Sequence, residues 1–259
     1  MRDRNTATAS TLFSNYSIII MNWYQIKNIE AIDSPALIIY KERVQQNINA
    51  LIQMKDVAHL RPHVKTNKIA EVCTMMLDAG ITKFKCATIA EAEMLAMILA
   101  PDVLLAYQPT PTKAKRLLQL VKKYTTTKFS TLIDDKINAE SISKIFSNDN
   151  LSLKVFIDLN VGMNRTGITT EDAFQLFQDC RSLKGIDIIG LHAYDGHIHD
   201  TNFEARKRNA DKAFSQVVHL ANQIESAINK KLKIVAGGSP TFPVHAQRKD
   251  VECSPGTFV

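Results

Sequence analysis

Arg61-Pro62-His63-Val64-Lys65-Thr66-Asn67-Lys68 carries a short strand-like run, Leu60 to Val64, into a polar turn that opens with a lysine. A helix is predicted to follow, because Ala70, Val72, Cys73, Met76 and Leu77 recur on one face. A lysine at the carboxyl end of a strand, inside a repeating strand–helix chain, stands where barrel enzymes assemble their active sites. Burial there lowers an ammonium pKa, and only the neutral amine attacks a carbonyl. Lys65 is therefore a candidate Schiff-base lysine. The alternative is a solvated surface lysine, and the surrounding sequence has to decide between the two.

Working outward, apolar runs rich in β-branched residues recur along the chain. They are Ala36 to Tyr40, Leu60 to Val64, Lys83 to Ala87, Val103 to Tyr107, Phe129 to Ile133, Lys154 to Leu159, Ile188 to Ala193, Lys233 to Ala236 and Gly256 to Val259. Helical periodicity fills the gaps, at Glu42 to Met54, Ala90 to Ala100, Thr112 to Lys123, Lys136 to Phe146, Thr170 to Cys180 and Phe203 to Asn229. Such alternation implies parallel pairing, and strands without polar alternation are covered on both faces. A doubly wound open sheet would also fit. The barrel is favoured because polar or reactive residues end nearly every strand: Lys65, Thr88, Gln108, Asp134, Asn160, Tyr194 and Gly237. Barrel sites draw on many strand ends, whereas an open sheet gathers its site at one switch point. The predicted fold class is α/β, a TIM-like (β/α)8 barrel.

The 259 residues, 45% hydrophobic and 22% charged, suffice for one large domain. The net charge of +6 comes in short clusters such as Lys113 to Arg116 and Arg206 to Arg208, with no interleaved aromatic stripe, so nucleic-acid binding is not expected. No apolar run approaches the ~20 residues of a membrane helix. Four scattered cysteines, Cys73, Cys86, Cys180 and Cys253, form no CxxC pair, so a reducing cytoplasm is expected. Met1 to Ser17 is polar and Ile18-Ile19-Ile20 is too short for a signal-peptide core, so residues 1–20 are expected to be a disordered or non-native extension, with Met21 the natural start. Residues 21–40 are expected to contribute an N-terminal strand segment, and 41–259 the barrel.

Three further stretches carry chemistry. Ile157 to Gly167 is a strand running into a glycine-punctuated loop with Arg165, a cation able to meet a ring nitrogen or an anion. The bland alternative is a turn with an exposed arginine. Leu191 to Asp200 crowds His192, Tyr194, Asp195, His197, His199 and Asp200 past a strand. That density invites a metal-hydrolase reading, although no HExxH-type spacing is present, and Tyr194 as a ring-stacking or acid–base group competes with it. Ala236-Gly237-Gly238-Ser239-Pro240-Thr241 can close backbone N–H groups and two hydroxyls around a phosphate, or can simply be a turn. A lysine, an arginine, an aromatic polar group and a phosphate cradle converge on pyridoxal 5′-phosphate (PLP).

Asp33-Ser34-Pro35-Ala36-Leu37, Arg61 to Thr66, Ala87-Thr88-Ile89-Ala90-Glu91-Ala92-Glu93, Gly238-Ser239-Pro240-Thr241 and Glu252-Cys253-Ser254-Pro255-Gly256-Thr257 together resemble the D-threonine aldolase / D-serine dehydratase family. These are PLP enzymes built on the alanine-racemase N-terminal barrel. The resemblance implies that Lys65 bonds the cofactor, that Arg165 faces its pyridine nitrogen and that Tyr194 lies beside it. It implies that Gly237, Gly238, Ser239 and Thr241 grip the phosphate. It also assigns Ala36 to Tyr40 to a separate β domain and places the eighth barrel strand near Gly256. Family members continue into a C-terminal β domain with a metal-binding pair, so the chain is expected to be truncated, its Mn or Zn ligands lying beyond Val259. No metal ligands are assigned within it. The implied activity is lyase cleavage of a D-3-hydroxy amino acid, D-threonine giving glycine and acetaldehyde. His199, in the His197–His199 loop, or a metal-associated group would take the hydroxyl proton. The alternatives are a D-serine dehydratase, or a PLP-binding barrel with little activity. The expected partners are a small D-amino acid substrate and a second copy of the chain.

Overall fold

The computed structural model describes residues 23–259. Its contacts divide into two units at Tyr40/Lys41. Within the first, Ile29–Ala31 forms a single 3₁₀ turn, and Trp23 packs edge-on against Tyr24 and Tyr40. Residues 36–40 form no strand, contrary to expectation, and Leu37, Ile38 and Ile39 are exposed. A β-branched run becomes a strand only where another strand satisfies its backbone. The expectations for residues 1–20 and Met21 lie outside the described residues.

The second unit alternates helices and strands in one order: α1 (Lys41–Met54), α2 (Ala70–Asp78), β1 (Lys83–Cys86), α3 (Ile89–Met97), β2 (Asp102–Leu105), α4 (Pro111–Lys123), β3 (Lys128–Ile133), α5 (Lys136–Ser147), β4 (Leu153–Leu159), α6 (Thr170–Cys180), β5 (Ile186–Ala193), α7 (Phe203–Ile228), β6 (Lys233–Ala236), α8 (Phe242–His245) and β7 (Val251–Cys253). The strands pair in sequence, each parallel to the next. Leu60 to Val64 closes the ring between β7 and β1, bridging Leu60 to Cys253 and His63 to Lys85. Backbone hydrogen bonds run from Arg61 N to Cys253 O (2.9 Å), His63 N to Pro255 O (2.8 Å), Lys85 N to Pro62 O (2.8 Å) and Val64 N to Lys85 O (2.9 Å). The result is the eight-membered barrel that the sequence predicts.

The last strand is displaced from its predicted place. Val251–Cys253, not Gly256 onward, pairs with β6. Glu252 hides it from a hydropathy reading: its buried carboxylate accepts from Arg61 Nε (2.7 Å) and Lys83 Nζ (2.6 Å), while Arg61 Nη1 also reaches Asp102 (2.7 Å). This charged set lies at the amino ends of the strands. Above it Leu104, Leu132, Phe156 and Val235 fill the middle of the ring. A second, larger core joins the outer face of the sheet to the helices.

Side-chain caps fix where the helices begin. Thr88, Asp135, Thr169 and Asn202 each accept from a first-turn N–H of α3, α5, α6 and α7. All four follow a strand or its loop, so the caps also set how each strand end turns over the barrel mouth. No helix among the described residues is long and apolar enough to cross a membrane.

Candidate active site

Lys65 ends the closing segment, its backbone turned by Lys68, which donates its N–H to Val64 O (2.8 Å) and has φ +54°. Its amine stands 5.7 Å from the centre of the Tyr194 ring, and the Arg165 guanidinium stands 5.1 Å from the same ring. Tyr194 follows β5, while Arg165 is carried by the loop after β4. Burial first, then the Arg165 charge, lowers the Lys65 pKa; Glu91 pulls weakly the other way. Three residues that the sequence singles out separately thus meet around one aromatic ring.

The Arg165 loop is held by its own side chains. Asn160 Oδ1 accepts from Gly162 N (3.1 Å) and Asn164 N (3.0 Å), and Asp134 Oδ2 accepts from Gly167 N (3.0 Å). Gly167 has φ +95°, and a Cβ there would lie 2.7 Å from the Asn160 nitrogen, so only glycine closes this turn.

Below Tyr194 runs a polar chain that the sequence does not announce. Lys85 is wholly buried, 5.7 Å from the Tyr194 ring centre, and its Nζ lies 3.4 Å from His192 Nε2. His192 Nδ1 is 2.6 Å from Asp158 Oδ1. Gln108 Nε2 donates to Asp158 Oδ2 (2.9 Å) and Asp134 Oδ2 (2.8 Å). Burial lowers the His192 pKa, so the ring is neutral, donating from Nδ1 to Asp158 and accepting at Nε2 from Lys85. Burial pushes the Asp158 carboxyl up, but the hydrogen bonds from His192, Gln108 and Thr166 outweigh it and hold Asp158 below the usual carboxylate range. Lys85 falls to about 7, chiefly through burial and then Lys65, opposed by Asp158 and Asp195, with Arg61 adding to the fall. His63, pressed by burial, Lys85 and Lys65, drops to about 2.

The glycine loop divides its tasks. Gly237, at φ +82°, approaches His245 so closely that a Cβ would lie 2.6 Å from Cδ2; one on Gly238 would lie 2.8 Å from Tyr194 Cε2. Gly237 N donates to Ala193 O (3.0 Å) and Gly238 N to Thr241 Oγ1 (3.2 Å). Thr241 turns its hydroxyl inward to Asp195 (2.7 Å), which also meets His245 Nε2 (2.8 Å). Ser239 Oγ, by contrast, accepts from both Gly256 N (3.0 Å) and Thr257 N (2.8 Å). These two converging backbone donors escape the sequence reading, which assigns Gly256 to a strand.

His199 is not among the residues gathered at Tyr194. It is exposed in the loop beyond β5, with Nδ1 2.8 Å from His197 O. His197 lies over Gly162, and His192 is inside the barrel. Among the described residues no group of three His, Cys, Asp or Glu is arranged to hold a metal ion.

The residues present fit PLP. A flat ring flanked by a depressed lysine amine and a guanidinium suits a planar aromatic aldehyde. A serine hydroxyl with two aligned backbone N–H groups suits its phosphate.

Fold and site together define a barrel of the alanine-racemase class, and residues 39–259 match the family described as "Alanine racemase, N-terminal domain", to which the chain belongs. It is 26% identical over 235 residues to D-threo-3-hydroxyaspartate dehydratase of Delftia sp. (strain HT23), covering 88% of this chain and 61% of that protein. It is 27% identical over 186 residues to D-threonine aldolase of Arthrobacter sp, covering 70% of this chain and 47% of that one. The crystal structure of D-threonine aldolase from Filomicrobium marinum superimposes with a TM-score of 0.79 at 22% identity, over 88% of this chain and 62% of that chain. The chain therefore spans half to three-fifths of the length of these relatives.

Proposed function

We propose that this barrel is the cofactor-binding part of a PLP-dependent lyase that cleaves D-3-hydroxy amino acids, D-threonine giving glycine and acetaldehyde. The convergence of Lys65 and Arg165 on Tyr194 carries the reading. The aldolase and dehydratase relatives narrow it to hydroxy amino acids. PLP, when bound, supplies the electron sink for charge developing at the substrate's Cα.

The chain's own residues supply the rest. Lys65, its pKa lowered, offers the neutral amine that bonds the cofactor's aldehyde. Arg165 cannot give up a proton, so it faces the ring nitrogen as a hydrogen-bond donor without protonating it. Tyr194 would lie beside the cofactor ring, with Gly238 letting the backbone close against Tyr194 and Gly237 against His245. Ser239, Gly256 and Thr257 hold the phosphate, and Thr241 fixes the loop through Asp195. The β-hydroxyl proton would go to a metal-associated group or to His199, whose exposed loop stands outside the Tyr194 cluster with Nδ1 against the His197 carbonyl. A divalent metal, Mn or Zn, would assist the reaction, and the working assembly would be a homodimer in the cytoplasm.

Absorbance with added PLP tests the site. A visible band that borohydride fixes covalently on Lys65, and that Lys65→Ala abolishes, is the expected result; a band that survives Lys65→Ala ends the reading. The dehydratase relative supports elimination at Cβ as a second outcome. Release of acetaldehyde from D-threonine identifies cleavage, whereas release of ammonia and pyruvate from D-serine identifies elimination.

A further inference from the structure

The period-two alternation of barrel strands stacks inward-facing residues in columns. Lys85 and the mid-barrel residues Leu104, Leu132, Phe156 and Val235 fix which parity faces in. Counting down from them, the bottom layer holds Lys83, Asp102, Lys128, Lys154, Asp187 and Lys233, and the closing segment and β7 add Arg61 and Glu252. Two of its three carboxylates are already taken, Asp102 by Arg61 and Glu252 by Arg61 and Lys83, and the third, Asp187, stands opposite Lys154 in the register. None of Lys128, Lys154 and Lys233 forms an ion pair among the described residues, and with Asp187 the one further carboxylate beside Lys154, three like charges from three strands stand around one opening.

That opening is a cavity of about 280 Å³, lined by all three lysines and roofed by Phe156 and Ile189. Its size lies at the bottom of the roughly 300–1,000 Å³ range of ligand pockets, which favours a compact ion. Ser130 lies on its wall, 4% exposed, and its Oγ has no hydrogen-bond partner among the described residues. A buried hydroxyl without a partner is costly unless something enters to meet it. Two independent observations, an excess of positive charge and an orphaned donor, therefore point into the same space.

We propose that the amino-terminal mouth of the barrel binds a compact, multiply charged phosphoryl anion, held by Lys128, Lys154, Lys233 and the Ser130 hydroxyl. The plug of Leu104, Leu132, Phe156 and Val235 separates this mouth from Lys65, so the site stands apart from the proposed catalytic one. Several ammonium groups with freely rotating donors suit an anion whose oxygens spread over more than one phosphorus.

Calorimetric titration with inorganic pyrophosphate at fixed ionic strength tests it. The expected result is binding that Lys154→Gln/Lys233→Gln weakens about tenfold or more and that Ser130→Ala also weakens. Ser239→Ala, at the opposite mouth, should leave it in place. Because Ser130→Ala changes no charge, it separates a built site from diffuse attraction. Lys122→Gln/Lys123→Gln removes equal charge elsewhere and should have little effect. No binding by the wild-type chain, binding lost in Ser239→Ala, or equal losses in the two lysine double variants would each overturn the proposal.

Discussion

Lys85 is the residue whose environment has the sharpest consequence. Its folded-state pKa of about 7 lies below the ordinary 10.5, so between those values the unfolded chain binds a proton that the folded one does not. Stability therefore rises with pH across that window. Urea unfolding at about pH 7 and about pH 9.5 should show the wild type gaining stability and Lys85→Met staying flatter. His63 acts at the acid end. Its pKa of about 2 lies far below 6.5, so stability is full above 6.5 and falls steadily as acid is added. His63→Asn should blunt that acid loss, as read by circular dichroism against pH. Lys65, Arg165 and Tyr194 are legible in the sequence because each follows a strand end in a polar turn. Lys85 is not, because Lys83-Phe84-Lys85-Cys86 alternates as a half-solvated strand would. Only ring closure turns that side inward. Gly256 and Thr257 are missed for a related reason: their contribution is backbone N–H, which carries no side-chain signature.

Among the elements, β7 is the least legible, and the seam it forms with the closing segment is the most testable. Sequence periodicity finds every long helix and the strands β1 to β6 to within a few residues, because burial on both faces writes a continuous apolar run. β7 fails that test, since its middle residue is a carboxylate stabilised only by Arg61 and Lys83. Arg61→Ala would leave Glu252 buried and short of one of its two cationic partners, and should cost about 3–5 kcal/mol in chemical denaturation. Arg61→Lys should recover only part, because an ammonium cannot reach Asp102 and Glu252 as a fork does. Hydrogen exchange should grade the same ring. β4 and β5 pair over seven residue positions, whereas the closure rests on two isolated bridges. The amides of Arg61, His63, Val64 and Lys85 should therefore exchange before those of Phe156 to Leu159, at the seam where the barrel opens first. Equal protection around the ring would show that closure is as strong as the ladder.

For the whole molecule, the barrel is two polar mouths held apart by a thin apolar layer. Phe156 is its largest member and is fully buried. Phe156→Ala should destabilise by about 3–5 kcal/mol in urea melts, the cost of a lost aromatic plus the cavity left behind. The barrel class could be read from strand ends, since reactive residues at nearly every one are hard to reconcile with an open sheet. The opposite mouth could not, because lysines at the starts of strands look like ordinary solvated ends until the ring sets their facing. The guanidinium of Arg61 has a further consequence during synthesis. Its deepest partner, Glu252, is 191 positions later in the chain. At roughly 5–20 residues per second a ribosome delivers that carboxylate some 10–40 s after the arginine. Asp102, made 41 positions after Arg61, is the one of its two carboxylate partners present through most of that interval, so the nascent half-ring has a provisional clasp while its seam waits for the last strand.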